Sequence, residues 1–134
     1  MSAVTFSSYL ALVAGSLIGA TLRWLAQILL NPLLPTLPLG TLLVNVVGGF
    51  AIGMAVGVFQ ASPTLFSSNL APQWRVLVIP GVLGGLTTFS SFTAESMLLL
   101  QEGRAGWAFA HASAHVFGAL VACFAGYALV QKLS

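Results

Sequence analysis

Charge is what this sequence has least of. Only 4% of its 134 residues are Asp, Glu, Lys or Arg, against roughly a quarter in an ordinary soluble domain. A water-soluble fold needs a mixed, charged exterior that so few charges cannot supply. Aspartate is absent altogether, so no Ser-His-Asp triad exists, and phosphate-loop and dinucleotide fingerprints are missing as well. Nothing here points to an enzyme. Arg23, Arg75, Arg104 and Lys132 are scattered singly and make no nucleic-acid footprint. Cys123 is the only cysteine, which excludes an internal disulfide and a cysteine metal cluster. It sits in an apolar run, where a small buried thiol is expected. The N-terminus has no basic leader region, and its apolar run outlasts a signal peptide, so a retained span is expected there.

What the chain does have is apolar length. Hydrophobic residues make up 58% of it, with 14 glycines and a mean hydropathy of +1.02. Four helices of about 20 residues would use about 80 positions and leave only short connectors. The apolar stretches run over about 9–30, 39–58, 74–100 and 107–130, which predicts an all-α membrane protein with residues 1–134 as a single four-span domain. The connectors are NPLLPTLP, the longer QASPTLFSSNLAPQ and the short turn QEGRAG. An even span count puts both termini on one side. The basic residues then divide almost evenly between the two faces, which is compatible with insertion in either orientation.

The third stretch is irregular. GVLGGLTTFSSFTAE, Gly81 to Glu95, places three glycines and a run of hydroxyls where the middle of a span belongs. Unwound backbone at membrane depth is tolerated only when buried in protein or lining a polar cavity, where freed carbonyls and helix ends can coordinate ions. An interruption is expected at about Gly84 to Thr88, with a second half-helix from near Ser90. Elsewhere, small residues recur four apart: Gly15 and Gly19; Gly49, Gly53 and Gly57; Gly118, Ala122 and Gly126. Such stripes let backbones approach closely; they imply a tight bundle and name no cargo.

A few polar residues stand out against this background. Asn45 shares a helix face with Thr41 and Gly49, and either ties helices together or offers its NH2 to a passing anion. Arg23 and Glu95 are intramembrane charges, which normally face protein or water and often pair; Arg23 either snorkels to the interface or lines an anion vestibule. Phe89 and Phe92, three apart, are packing residues or present positive ring edges to a small anion. Thr88, Ser91 and Glu95 follow one another at one-turn steps. His111 and His115 are one turn apart on the fourth helix with no cysteine nearby, which is weak ground for zinc and better ground for a polar track.

Together GSLIGATLRW (Gly15 to Trp24), PLGTLLVNVVGGFAIG (Pro38 to Gly53) and GVLGGLTTFSSFTAE resemble the CrcB/Fluc family of small fluoride channels, and the order of spans agrees over nearly the whole chain. The resemblance implies a plasma-membrane protein, in bacteria the inner membrane, that forms an antiparallel, dual-topology homodimer with two fluoride paths. It implies passive export of cytoplasmic fluoride and hence fluoride resistance. It also implies a structural sodium ion at the dimer contact, held by the backbone carbonyls of Gly84 and Thr87. Asn45, Phe89 and Phe92 match the family's pore residues, Thr88, Ser91 and Glu95 the polar residues around the aromatic pair, and Arg23 the first-helix arginine. His111 and His115 fall near fourth-helix positions of the polar track. The implied partners are fluoride, lipid and a second copy of the chain, with no nucleic acid. A proton-coupled carrier, using Glu95 or the histidines as relays, and a purely structural membrane protein are the alternatives.

Overall fold

A computed structural model of the chain describes residues 5–61 and 71–134. Its helices are α1 (Phe6–Leu30), α2 (Leu39–Ala61), α3 (beginning with Ala71–Val76 and continuing to residue 86), α4 (Phe89–Gln101) and α5 (Ala105–Leu133). Four helical stretches are long and apolar enough to cross a membrane, Phe6–Leu33, Leu39–Ala61, Gln73–Gln101 and Ala105–Leu133, with α3 and α4 forming one bent span. The chain is a multi-pass membrane protein of the bacterial inner-membrane kind. Each span extends one to three residues beyond an edge of the apolar run that signalled it, because helical hydrogen bonding continues into polar flanks. The central part of the long connector after α2 falls outside the described residues.

Local chemistry sets the helix ends. Thr5 opens α1 by accepting the Ser8 amide on its side chain at 3.3 Å, a standard N-cap. Asn31 and Pro32 turn the chain into the short 3-10 helix Asn31–Leu33. The Asn31 side chain then reaches forward, its Oδ1 accepting the Thr41 amide at 3.1 Å. One residue thus ends α1 and satisfies an open donor in the first turn of α2.

Glycine determines which helices touch. A Cβ on Gly49 would stand 2.6 Å from the Ala119 carbonyl oxygen, and one on Gly53 would meet the backbone of Cys123. Gly126 on α5 meets the backbone of α2 in the same way, at Phe50 and Met54. On the other side of the bundle, Gly15 and Gly19 of α1 lie against Gly81, Gly85 and Leu86 of α3, with 2.9 Å between a Gly15 Cβ and the Gly81 Cα. The stripes therefore knit two pairs, α2 with α5 and α1 with α3. Gly118 is looser, its nearest neighbour being a Val46 methyl at 3.3 Å. Cys123 is half-buried rather than buried.

The third span departs from a regular helix twice. Around Pro80, which has no amide hydrogen to donate, the turn widens into a π-helical segment, Leu77–Leu83. The helix then resumes as Gly84–Leu86 and stops at Thr87 and Thr88, whose backbones are extended (φ −77°, ψ 155° and φ −147°, ψ 120°). The interruption is therefore narrower than the glycines suggested, and the second half begins at Phe89, next to the expected Ser90. Gly85 stays helical because its missing side chain lets α1 approach, a Cβ there standing 2.8 Å from the Ser16 carbonyl. The β-branched threonines take the extended conformation that such residues favour.

Candidate functional site

The polar groups opened by a break inside an apolar bundle have to find partners. The helical bond from the Thr88 amide back to Gly84 is replaced by one to α2: Thr88 N–H donates to Asn45 Oδ1 at 2.8 Å. Asn45 Nδ2 donates back to the Thr88 carbonyl at 3.0 Å. A backbone amide can only donate, so this contact fixes which end of the Asn45 amide is oxygen. The second Nδ2 hydrogen then points to His115 Nδ1, 3.0 Å away on α5. Nδ1 is thereby an acceptor, and the proton of a neutral His115 ring sits on Nε2. Among the described residues, that Nε2 is the one buried side-chain nitrogen or oxygen without a hydrogen-bond partner.

Two further contacts hold the break. Thr88 Oγ1 accepts the Ser91 amide at 3.1 Å, which caps α4, and donates to Ser91 Oγ at 3.1 Å. Arg23, from α1, donates its Nη1 to the Thr87 carbonyl at 3.2 Å.

A second cluster lies farther along α4. Glu95 Oε1 accepts a 2.5 Å bond from Thr41 Oγ1 and a longer one, 3.5 Å, from Asn31 Nδ2. Its other oxygen, Oε2, is 3.2 Å from His111 Nε2. Thr41 is completely buried, and its oxygen also receives Asn31 Nδ2 at 3.2 Å and Gln27 Nε2 at 3.3 Å, using all the bonding capacity of a hydroxyl. His111 is likewise completely buried, and its Nδ1 lies 3.0 Å from Ser96 Oγ.

Aromatic contacts join the clusters. Phe92 stacks on His111 with centroids 5.5 Å apart and planes 17° from parallel, and it leans on His115 at 5.0 Å. The two imidazoles are 4.5 Å apart. Phe89 is 5.4 Å from Phe92 and 77% exposed. Asn45, Thr88, Phe89, Phe92 and His115 line an open, mostly apolar groove of about 470 Å³, which Gly84 and Thr87 also border. A ring nitrogen of each histidine and a Glu95 oxygen all lie within 4.8 Å of one another, so a group able to coordinate a metal is present.

The residues singled out in the sequence thus converge. Glu95 pairs with His111, and Arg23 with the Thr87 carbonyl. Ser91 reaches the break only through Thr88. Both Asn45 hydrogens are engaged within the chain. Gln27, Asn31 and Ser96 were not anticipated; the one-turn spacing of Gln27 and Asn31 at the end of an apolar run was the available signal.

This geometry sits on a chain with close relatives. The model of the family described as CrcB-like protein, Camphor Resistance (CrcB), matches residues 10–127. The chain is 50% identical over 121 residues to the fluoride-specific ion channel FluC of Pseudomonas paraeruginosa, covering 90% of this chain and 91% of that one. It is 50% identical over 126 residues to the FluC of Tolumonas auensis (94% and 95%) and 47% identical over 128 residues to that of Chromobacterium violaceum (96% and 98%). These relatives are named as channels, not enzymes. With its bent third span, its four helices and matches over nearly its full length, the chain belongs to the CrcB/FluC family.

Proposed function

We propose that the chain is a fluoride-selective channel that lets cytoplasmic fluoride leave passively and so confers fluoride resistance. The observation that carries this reading is the groove at the break. There, Phe89 and Phe92, the threonines Thr87 and Thr88, and His115, whose buried Nε2 has no hydrogen-bond partner, border one groove, on a chain whose relatives are named fluoride-specific ion channels. Fluoride enters acidified cells as neutral HF and is trapped inside as the anion, so a channel relieves the load without ATP or a covalent step. Conduction needs contacts strong enough to replace water and weak enough to release the ion. Phe89 and Phe92 offer positive ring edges, Ser91 offers its hydroxyl, Thr88 offers its own only by exchanging its bond to Ser91, and His115 offers its Nε2–H. Asn45 positions the break, and gives a hydrogen to the ion only by exchanging its bond to His115. Glu95 and His111 continue the polar track beyond Phe92. Arg23 acts as structural charge at the Thr87 carbonyl, beside the entry to the path.

The chain, 1–134, acts as one four-span domain and assembles as an antiparallel dual-topology homodimer with two paths. The even span count and the nearly balanced basic residues support this, and exposed apolar side chains such as Leu17, Phe117 and Phe124 suit lipid or the partner copy. A sodium ion fits the break as a structural cofactor at the dimer contact. The Gly84 carbonyl is freed from its helical amide, Thr87 lies outside the helix, and a half-helix C-terminus favours a cation. Hard backbone oxygens suit sodium better than the imidazole nitrogens of the His111 cluster. Gly84 would hold the ion through a carbonyl exposed on the groove wall; Thr87 would share its carbonyl with Arg23. A Cβ on Gly84 meets the Ile79 carbonyl at an ordinary contact distance, 3.6 Å, so Gly84→Val is accommodated within the subunit at its first side-chain carbon. It should still damage the dimer or its flux more than Thr87→Val does, measured by size-exclusion chromatography and efflux together.

The direct test of function is fluoride efflux from proteoliposomes, read with a fluoride electrode and repeated with chloride and across a pH gradient. Fluoride leaving without chloride, and without being driven by the proton gradient, supports the channel. Uphill fluoride movement driven by that gradient would instead point to a proton-coupled carrier built on the Glu95–His111 pair.

A further inference from the structure

We propose that Glu95, His111 and His115 form a binding site for a divalent transition-metal ion of the zinc class, and that its occupation blocks the groove. The site stands on geometry independent of the fluoride reading; only the block rests on that reading.

Two histidines and a carboxylate are a zinc-type donor set that leaves a fourth position open. Their ligand atoms already lie within 4.8 Å of one another. His111 Nε2 and Glu95 Oε2 are 3.2 Å apart, close to the roughly 3.3 Å that tetrahedral zinc with ordinary bond lengths demands. The surrounding contacts orient both groups. With a metal on His111 Nε2, the ring proton moves to Nδ1, where Ser96 Oγ at 3.0 Å can accept it. Glu95 is held by its other oxygen through Thr41 and Asn31, leaving Oε2 to the ion. Such outer contacts are what metal-binding histidines and carboxylates require.

His115 is the third ligand and the telling one. It is 4% exposed, and its Nε2 is buried without a partner. A nitrogen left unpartnered inside an apolar bundle is expensive unless something occupies it. Metal on Nε2 would place the ring proton on Nδ1, where it faces the Asn45 NH2, a donor meeting a donor. Binding therefore sacrifices the Asn45–His115 bond, which makes the site reversible. It also gives an unusual expectation: a carboxylate at position 45 would accept the Nδ1 proton and complete a carboxylate–histidine–metal relay, at the expense of the bond that Asn45 Nδ2 now gives the Thr88 carbonyl. An ion held here sits beside Phe92, which stacks on His111 and leans on His115. Its positive charge would hold a passing anion too firmly to release.

The experiment uses the purified full-length protein, free of any polyhistidine tag, with Co2+ as the optical probe and Zn2+ as competitor. The expected result is a tetrahedral cobalt absorption of one ion per subunit that Zn2+ abolishes and that His111→Phe and Glu95→Gln remove. Asn45→Asp should tighten Zn2+ binding about tenfold. Absence of the cobalt band in the parent, or equal binding by His111→Phe and Glu95→Gln proteins, overturns the site. If those variants fail to fold, the parent spectrum and the Asn45→Asp affinity decide, and unchanged or weaker binding in Asn45→Asp counts against it. In proteoliposomes, Zn2+ should suppress fluoride efflux at the concentrations that bleach the cobalt band. Full efflux with the site occupied would overturn the block, whereas no efflux even without zinc would sink the fluoride reading and leave the metal result standing.

Discussion

α5 is built from two different kinds of contact, and the contrast between them explains the molecule. Toward its C-terminal end it meets α2 through backbone: Gly49, Gly53 and Gly126 leave no room for a side chain on either helix. Toward its N-terminal end it meets α4 through side chains: His111 and His115 fill the space with Phe92, Ser96 and Glu95. Membrane helices gain little from burying apolar surface against one another, since lipid is equally apolar. Close backbone packing supplies the stability at one end. That rigidity lets the other end keep buried polar groups on fixed hydrogen bonds, with one nitrogen left over.

The largest expected effect comes from the backbone seam. Gly53→Val drives a branched side chain into the Cys123 backbone, and neither helix can yield without the other. Overpacking of this kind should cost about 3 kcal/mol or more, seen as loss of the monodisperse protein peak in detergent. Gly106→Ala is the control, because nothing lies within 4 Å of a Cβ there; it should leave yield and melting unchanged. Equal yields for the two variants would mean that the seam does not hold the bundle.

Smaller effects are expected in the polar region, where groups lose bonds without a clash. Thr41→Val keeps the side-chain shape but takes from Glu95 its 2.5 Å bond and from Gln27 and Asn31 their common acceptor. The expected loss is about 1–3 kcal/mol, read as a lower thermal midpoint of the purified protein. An unchanged midpoint would show that water replaces the hydroxyl.

The smallest of the three lies at the break. Thr88→Ala removes the cap of α4 and should cost about 1 kcal/mol, while Thr88→Ser, which keeps the oxygen, should cost only a fraction of that. Thermal melts of the two side by side separate the cap from the methyl group. If both melt alike, the Asn45 bonds to the Thr88 backbone carry the break unaided.

The same contrast governs how much could be read from the sequence. Glycine stripes are local and periodic, so the tightly packed helices and all four spans were legible, as was a fault in the third. Its extent was less so: the expected interval, about Gly84 to Thr88, contains the extended residues Thr87 and Thr88 but begins too early, because Gly85 stays helical and serves the approach of α1. The widened turn at Pro80 was written in the sequence but went unnoticed beside the glycines. Polar partnerships were the least legible. Glu95 meets His111, and Asn31 reaches from a connector to both Thr41 and Glu95, since such pairs depend on helix rotation that periodicity alone does not set. Asn45 stood out as a polar residue in an apolar face; that both its hydrogens are used inside the chain required coordinates.

The central claim is that fluoride passes along the aromatic edges at the break. The most direct measurement is fluoride efflux from proteoliposomes carrying equal amounts of purified protein, comparing the parent with Phe89→Ile and Phe92→Ile. Isoleucine keeps apolar bulk but has no positive ring edge. Each variant should elute like the parent on size-exclusion chromatography and lose most of its efflux. If both conduct fluoride at the parent rate, the rings are packing residues and the path lies elsewhere.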